Sequence, residues 1–297
     1  TRSILKKAVE EAARAGYAFS FGSEQEFYLF ELDENGRPTK IPYDRAGYMD
    51  IAPEDRGENI RREICLTLEQ MGIRPESSHH EEGPGQNEID FRYSDALTAA
   101  DNALTFQTVV KTVARRNGLY ADFSPKPLLG EPGSGFHINI SVKPCPNSKN
   151  LCYVIAGILD KACEMTAFLN TTEDSYKRFN SKKAPGYVSW SSENRSQLVR
   201  IPAAIGEYRR AELRSPDSTA NPYLAFALMI YAGLYGLENR LELPKAANIN
   251  LYKADAETLS AFRKLPDSLA AAKAAAVASD FIKQHIPAGI SAVYCNK

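Results

Sequence analysis

Residues 133–142 read GSGFHINISV and alternate between apolar and polar side chains. The apolar positions share one face of an extended chain: Phe136, Ile138, Ile140 and Val142. Because side chains alternate between the two faces of a strand, this spacing predicts a strand with one buried face. A Gly-Ser-Gly loop before it lets the backbone approach a neighbouring group closely. The stretch predicts either a half-exposed strand beside a turn or a strand that presents polar groups to a site.

Helical and strand patterns alternate along the rest of the chain. Apolar residues at helical spacing predict helices over residues 3–15, 57–71, 95–116, 151–169, 221–242 and 267–285. Strand patterns cover residues 17–32, 73–81, 86–93, 136–142, 196–201 and 211–215. Residues 171–195 are rich in Ser, Asn, Lys and Pro and predict a loop. Several strands with helices inserted between them predict an α+β fold with one main sheet.

The composition is that of an ordinary globular chain. Its 297 residues are 43% hydrophobic and 25% charged, and the formal net charge of −1 gives no overall bias toward nucleic acid or acidic membranes. No apolar run approaches the roughly 20 residues that a membrane-spanning helix needs. The five cysteines show no CxxC spacing, which predicts reduced thiols and a cytoplasmic location.

Acidic side chains recur on several predicted strands. Glu24 and Glu26 lie two apart, so that both carboxylates point to one face. Further acids fall in other strand segments: Glu81, Glu88 and Glu212. Carboxylates that converge on one surface repel one another and need cations. Such a set suits Mg²⁺ or Mn²⁺, and a single imidazole among the acids favours Mn²⁺.

Arginines follow a similar distribution. They fall in or beside polar loop and strand segments: Arg178, Arg195, Arg200, Arg210 and Arg214. Guanidinium groups bind phosphate and carboxylate through paired hydrogen bonds. Divalent cations together with arginines predict phosphoryl chemistry on an anionic substrate. The chain has neither GxxxxGK[ST] nor the protein-kinase motifs, so ATP would bind by another route.

Six segments in order resemble the catalytic domain of glutamine synthetase, in its bacterial type I form. They are FGSEQEFYLF, SSHHEEGPGQNEIDFR, PGSGFHINISV, SYKRF, NRSQLVRIP and RRAELRSPDSTANPYLAFALMIYAGL. The resemblance implies a curved, antiparallel-rich sheet that lines a funnel, with helices packed outside. It also implies two divalent cations, Mg²⁺ or Mn²⁺, at the waist of the funnel. ATP would enter from one end, and glutamate and ammonium from the other.

The resemblance implies a role for individual residues. One metal ion would be held by Glu26, Glu81 and Glu88, and the second by Glu24, His137 and Glu212. The amino-acid substrate would contact the backbone of Gly133 and the side chains of Arg178 and Arg214. The nucleotide would lie near Glu76 and Ser141, and its phosphates would face Arg195, Arg200 and Arg210.

The chain departs from the family pattern at three places. Residues 1–297 correspond to the catalytic domain, and the N-terminal β-grasp domain, which completes a neighbouring subunit's site in the family, is absent from this chain. Pro132 stands where the family has an asparagine before the Gly-Ser-Gly loop. Lys183 stands where a flap glutamate closes the site and takes a proton from ammonium. Lys183 is predicted either to neutralise the acyl phosphate or to point to solvent.

The predicted function is therefore ATP-dependent ligation of ammonia to the side-chain carboxylate of L-glutamate. A related ligase that joins glutamate to another amine is an alternative, because the flap and Pro132 are altered. A catalytically impaired regulatory or structural homologue is a third possibility. The family also implies a homo-oligomeric ring, a dodecamer for the full-length protein, with no nucleic acid or membrane partner.

Overall fold

The structure is a computed structural model that describes residues 1–179, 183–203, 206 and 209–296. Its strands are β1 (Ala18–Leu32), β2 (Pro38–Pro42), β3 (Pro75–His80), β4 (Gln86–Asp95), β5 (Leu119–Asp122), β6 (Phe136–Lys143), β7 (Trp190–Ser191), β8 (Val199–Arg200) and β9 (Ala211–Leu213). Its helices are α1 (Arg2–Arg14), α2 (Glu58–Gln70), α3 (Ala96–Arg116), α4 (Lys149–Leu169), α5 (Glu173–Tyr176), α6 (Pro222–Glu238), α7 (Ala256–Ser260), α8 (Leu269–Ala278), α9 (Asp280–His285) and α10 (Ala288–Cys295).

In the described part of the chain, nine strands form one sheet. Its main path runs β3-β4-β1-β6-β9-β8-β7, and β2 and β5 pair with the other end of β1. The pairings are antiparallel apart from the short parallel pair of β7 and β8. This confirms the predicted α+β fold and the antiparallel-rich sheet.

Strand β1 organises the sheet because it pairs with four other strands. Its side chains alternate between the hydrophobic core on one face and an acidic surface on the other. Phe27 and Leu29 are fully buried, and Gln25, on the same face, donates to the carbonyl of Ala103 at a nitrogen–oxygen distance of 3.2 Å. The opposite face carries Glu24 and Glu26. One strand thus joins the hydrophobic core to an acidic surface.

Helices α3, α4 and α6 cover the apolar face of the sheet. Phe21 of β1 stacks on Phe226 of α6 with ring centroids 4.3 Å apart. Helices α4 and α6 cross closely at Gly157 and Gly236, where an added Cβ atom at Gly157 would lie 2.0 Å from the carbonyl oxygen of Ala232. This close crossing explains why glycine is required on both helices. It also holds α4 and α6 together behind the sheet, on the side opposite the acidic face.

The structure differs from the predicted elements mainly near the C-terminus. The predicted helix 267–285 is two helices, because Ser279 adopts extended backbone angles and its hydroxyl caps α9 by accepting from the backbone N–H of Ile282. Residues 171–195, predicted as a loop, include α5 and β7. The predicted strand over 196–201 is reduced to β8, and α7, α10, β2 and β5 were not predicted. These elements are short, so their own patterns are too brief to identify them.

The five cysteines are free thiols. Among the described residues, no helix combines the length and the apolar character needed to cross a membrane.

Candidate active site

Acidic side chains lie in rows across the polar face of the sheet. Glu24 of β1 lies opposite His137 of β6 on one side and opposite Asp90 of β4 on the other. Glu26, two residues further along β1, lies opposite Glu88. Directly opposite residues project to the same face, so the register alone brings four carboxyl groups and one imidazole together.

His137 lies between two carboxylates. Its Nδ1 atom is 3.4 Å from Glu24 Oε2 and 3.7 Å from Glu212 Oε1. Potential ligand atoms of all three residues lie within 4.8 Å of one another, as the set predicted for the second metal ion requires. Burial raises the pKa of Glu24, but hydrogen bonds from His137 and from Asn139, 2.7 Å away, outweigh it and hold that pKa at about 2. Glu24 is therefore ionised and available to a cation.

Glu212 is fully buried between two arginines. Arg200 Nε donates to Glu212 Oε2 at 2.5 Å, and Arg214 Nη1 donates to Glu212 Oε1. Arg214 also donates through Nε to the backbone carbonyl of Arg195 at 3.2 Å. Desolvation opposes the charge of Arg214, yet the contact with Glu212 raises its pKa. Two of the predicted substrate-binding or catalytic arginines are thus anchored on a predicted metal ligand.

The carboxylate of Glu81 is surrounded by hydrogen-bond donors. Its Oε2 atom accepts from Lys183 Nζ at 2.7 Å and from the backbone N–H of Glu82 at 3.0 Å, and its Oε1 atom lies 3.3 Å from His79 Nε2. Burial opposes ionisation, but the contacts with His79 and Lys183 lower the pKa of Glu81 to about 2. One of the two predictions for Lys183 was that it points to solvent. In the structure its side chain contacts Glu81 instead.

The three acids predicted for the first metal ion are divided between two groups. Glu26 and Glu88 group with the imidazole of His137, whereas Glu81 groups with Glu88 and with His79. In this arrangement Glu88 is common to both groups. His79 lies two residues before Glu81. The period of two in a strand could therefore have identified it as a further candidate metal ligand.

Glu88 and Asp90 are buried acids whose ionisation is opposed by their surroundings. Desolvation raises the pKa of both carboxyl groups well above the ordinary range, and neighbouring acids such as Glu24 raise the values further. A carboxyl group in this position binds either a proton or a cation. Asp90 was not predicted, although its spacing of two from Glu88 on one strand places it on the same face.

Two adjoining cavities open on this face in the described part of the structure. The smaller, about 190 Å³, is lined by the acids and by Tyr48, Lys183, Arg195, Arg200 and Arg214. The larger, about 750 Å³, is lined by Glu76, Ser141, Arg210, Asn139 and Tyr93, among others. Glu24 and Asp90 line both cavities. The residues predicted near the nucleotide, Glu76 and Ser141, therefore lie on the same side.

Two of the three remaining predicted arginines, Arg195 and Arg210, lie one in each cavity. Arg195 lines the smaller cavity, and its hydrogen bond with Tyr48 raises its pKa despite partial burial. Arg210 lines the larger cavity and donates through Nε to Asn139 Oδ1 at 3.0 Å. Asn139 in turn donates to Glu24, so it links Arg210 of the larger cavity to an acid that lines both cavities. Tyr48 lies on an irregular loop and had no sequence signal.

Gly133 and Arg178 lie together beneath the acidic face. Arg178 is buried, with Nη1 and Nη2 donating to the carbonyl oxygens of Ser215 and Pro216 at 3.1 and 3.3 Å. A Cβ atom at Gly133 would lie 2.6 Å from Arg178 Cγ, so the close approach requires glycine. Arg178 and Gly133 line neither cavity in this conformation.

Gln86 connects Gly133 to the acids. Its Nε2 atom lies 3.1 Å from Glu26 Oε2 and 3.2 Å from the carbonyl oxygen of Gly133, and it can donate to both. The backbone N–H of Gly135 also donates to Glu26 Oε2 at 2.8 Å. The Gly-Ser-Gly loop is therefore fastened to a candidate metal ligand. Within the predicted flap, residues 179–189, residues 180–182 lie outside the described residues.

The comparisons with known proteins agree with one another. A family model described as glutamine synthetase, catalytic domain, matches residues 1–297. A curated glutamine synthetase from Methanosarcina mazei is 45% identical over 298 residues, which cover 95% of this chain and 67% of that protein. One from Clostridium saccharobutylicum is 48% identical over 264 residues, which cover 84% of this chain and 60% of that protein. The chain spans about two thirds of the length of such relatives.

Solved structures show the same fold. A structure described as a GmaS/ADP complex is 30% identical, with a TM-score of 0.88, and the match covers 99% of this chain and 71% of that one. A cryo-EM structure of Plasmodium falciparum glutamine synthetase has a TM-score of 0.84 at 24% identity and covers 99% of this chain and 74% of that one. The second likeness concerns the fold alone.

Proposed function

The chain belongs to the glutamine synthetase family, whose catalytic domain it matches throughout, and we propose that it joins ammonium to the side-chain carboxylate of L-glutamate using ATP. A carboxylate oxygen of glutamate would attack the γ-phosphorus, ADP would leave, and ammonia would then displace phosphate from the acyl phosphate. Curated glutamine synthetases at 45% and 48% identity support this activity and a role in glutamine biosynthesis.

The observation that carries this proposal is the meeting of the two cavities at Glu24 and Asp90. The larger cavity, about 750 Å³, has a size typical of nucleotide-binding sites. The smaller cavity contains Arg214, which is suited to the carboxylate of an amino acid, and Arg195 and Arg200, which are suited to phosphate. A phosphoryl group that moves from a nucleotide in one cavity to a carboxylate in the other would pass the shared acids.

The donor set fits two hard divalent cations, because buried acids with raised pKa values face one another and two imidazoles. We assign one Mg²⁺ or Mn²⁺ to Glu24, His137 and Glu212. We assign the other to Glu81 and Glu88, with Glu26, as the family resemblance implies, or with His79 as the third ligand. Bound there, the ions would offset the charge that spreads over the transferring phosphoryl oxygens.

The chain's own cations would bind the substrates. Arg200 and Arg210 would hold the phosphates of ATP, with Glu76 and Ser141 beside the nucleotide. Arg195 would bind the transferring phosphoryl group, and Arg214 the α-carboxylate of glutamate. Arg178 and the backbone of Gly133 would support the amino-acid end, which requires a rearrangement from the buried position of Arg178.

A ligase that joins glutamate to an organic amine is the second candidate. Lys183 contacts Glu81 at the place where the family has a flap glutamate, and Pro132 replaces an asparagine. Both changes fall where the family binds glutamate and the amine. The carboxylates on the sheet face, which are predicted to hold the metal ions, are retained.

We further propose that the full-length protein is a cytoplasmic homo-oligomer in which ring-like assembly completes the site. The loop that carries Tyr48 exposes Met49 and Ile51, with 57% and 76% of their surfaces accessible, beside the smaller cavity. Exposed apolar side chains at a site entrance are typical of an interface. Five free cysteines are consistent with a reducing compartment.

Phosphate release from ATP by the full-length protein tests the proposal. The assay contains glutamate with Mg²⁺ or Mn²⁺ and compares ammonium with methylamine, ethylamine and larger amines. Release that needs both glutamate and ammonium supports the first candidate, and release only with an organic amine supports the second. No amine-dependent release under any of these conditions would leave only the regulatory or structural homologue.

A further inference from the structure

The carboxylate of Glu81 makes three polar contacts in the structure. Its two carboxylate oxygens contact Lys183 Nζ, the backbone N–H of Glu82 and the ring of His79 at 2.7, 3.0 and 3.3 Å. The last two donors come from within two residues of Glu81 itself. Lys183 comes from a segment about a hundred residues away in sequence, so its contact is the one that a rearrangement of chain segments can break.

Lys183 is held at this position by several contacts. Its ammonium group also lies 3.2 Å from Glu82 Oε2 and 4.7 Å from the centre of the Tyr48 ring. A cation over an aromatic face and between two carboxylates is favourably placed. The backbone at Lys183 has φ 72°, a left-handed conformation that a residue other than glycine adopts only where its surroundings compensate. The contacts supply that compensation.

A divalent cation at Glu81 and the ammonium of Lys183 would compete for the same carboxylate. Both are positive, and at a separation of a few ångströms in a partly buried site they repel each other strongly. Only 31% of the Lys183 side chain and 7% of the Glu81 side chain are accessible, so water screens this repulsion weakly. The metal ion and the Lys183–Glu81 ion pair therefore destabilise each other.

We propose that Lys183 is a tethered cation that competes with the divalent cation for Glu81. Binding of the metal ion and the Lys183–Glu81 contact are then coupled, so each weakens the other by the same factor. The inference rests on the metal site assigned to Glu81 under the proposed function, and it concerns occupancy of that site without requiring turnover. Lys183 thereby lowers metal affinity and makes the site depend on the position of its own segment.

Mn²⁺ binding to the full-length protein, without ATP or glutamate, tests the inference. Free Mn²⁺ is measured by electron paramagnetic resonance during titration of the wild type and of Lys183→Met and Lys183→Gln. Loss of the ammonium should tighten one class of Mn²⁺ site about tenfold, whereas Lys183→Arg, which keeps the charge, should stay near the wild type. Two neutral variants are used so that a folding defect in one does not decide the outcome.

Lys40 offers a matched control. It pairs with Asp122 at 2.8 Å and lies 5.0 Å from the centre of the Phe30 ring, which repeats the chemistry of Lys183 outside the cavities. Lys40→Met should leave Mn²⁺ affinity unchanged. Equal affinity in the wild type and both neutral Lys183 variants, or no Mn²⁺ binding by any of them, would overturn the inference.

Amine labelling of the wild type gives a second measurement that needs no variant. Limited acetylation followed by mass spectrometry reports how accessible each lysine is. Saturating Mn²⁺ should increase labelling of Lys183 at least threefold relative to Lys40, because the ion displaces its ammonium from Glu81. Labelling of Lys183 that falls or stays constant with Mn²⁺ would contradict displacement.

Discussion

Glu24 and His137 face each other across the β1–β6 pairing, with Oε2 and Nδ1 3.4 Å apart. The contact joins an acid from the first strand to an imidazole more than a hundred residues later. Glu212 of β9, the strand on the other side of β6, lies 3.7 Å from the same Nδ1 atom, so three strands contribute to one group. Antiparallel pairing fixes these positions before any ligand binds, and the backbone therefore preorganises the candidate metal site.

Glu24→Gln should weaken Mn²⁺ binding at least tenfold, because a neutral amide replaces an ionised ligand whose pKa is about 2. Titration with Mn²⁺ measures the change. Glu31→Gln is the control, since Glu31 lies on the same strand but lines neither described cavity. Unchanged affinity in Glu24→Gln would remove Glu24 from the assigned site.

Gly157→Ala should destabilise the fold by about 3 kcal/mol or more, because its Cβ atom would meet the Ala232 carbonyl oxygen at 2.0 Å. The midpoint of thermal unfolding, followed by circular dichroism, reports the loss. Gly289→Ala is the matched helical control, since no atom lies within 4 Å of its added Cβ. A Gly157→Ala protein as stable as Gly289→Ala would show that α4 and α6 are further apart than described.

The His80–Asp44 pair should make stability depend on pH. Burial alone would lower the pKa of His80, but its contact with Asp44, 2.8 Å from Nε2, raises the pKa above the ordinary value of 6.5. The contribution of protonated His80 is therefore complete below pH 6.5 and is lost as pH rises through the folded-state pKa. Asp44, whose pKa is lowered, stays ionised over this range.

Urea unfolding between pH 5 and 9, roughly the interval in which histidine titrates, measures this effect. The stability of the wild type minus that of His80→Gln should be larger at the acidic end, and it should decline as pH rises. A difference that is flat with pH, or that grows toward the alkaline end, would contradict the assigned direction.

Lys183→Glu should change the use of ammonium by about tenfold or more, the lower range for a single acid–base group. The variant replaces a cation beside Glu81 with the acid that the family has at this position. Steady-state rates over a range of ammonium concentrations measure it, with Lys183→Gln separating loss of the cation from gain of the acid. Identical rates and apparent ammonium affinities in all three proteins would show that Lys183 has no role in the use of ammonium.

Much of this site could be predicted from the sequence because a strand has a period of two. That period placed Glu24 with Glu26 and set His137 on the polar face of β6, and it could also have identified Asp90. The division of the first predicted metal set could not be predicted in the same way. It depends on the distances between side-chain atoms from separate parts of the sheet, which no local pattern encodes.

The same limit explains the errors in the fold. Long periodic helices such as α3 and α6 were identified, whereas short elements that depend on neighbours were not. Ser279 interrupts an alanine-rich helix because its hydroxyl is a better cap than an interior residue. Arg178 was predicted to bind substrate, and its burial against the carbonyls of Ser215 and Pro216 depends on tertiary packing.

Transfer of oxygen from glutamate to phosphate tests the central claim most directly. The full-length protein is given ATP, Mg²⁺, ammonium and glutamate labelled with ¹⁸O in its side-chain carboxylate, and the inorganic phosphate is analysed by mass spectrometry. If the carboxylate attacks the γ-phosphorus, each phosphate released with glutamine carries one ¹⁸O atom. Glutamine formation with unlabelled phosphate would contradict the acyl-phosphate route that the two adjoining cavities support.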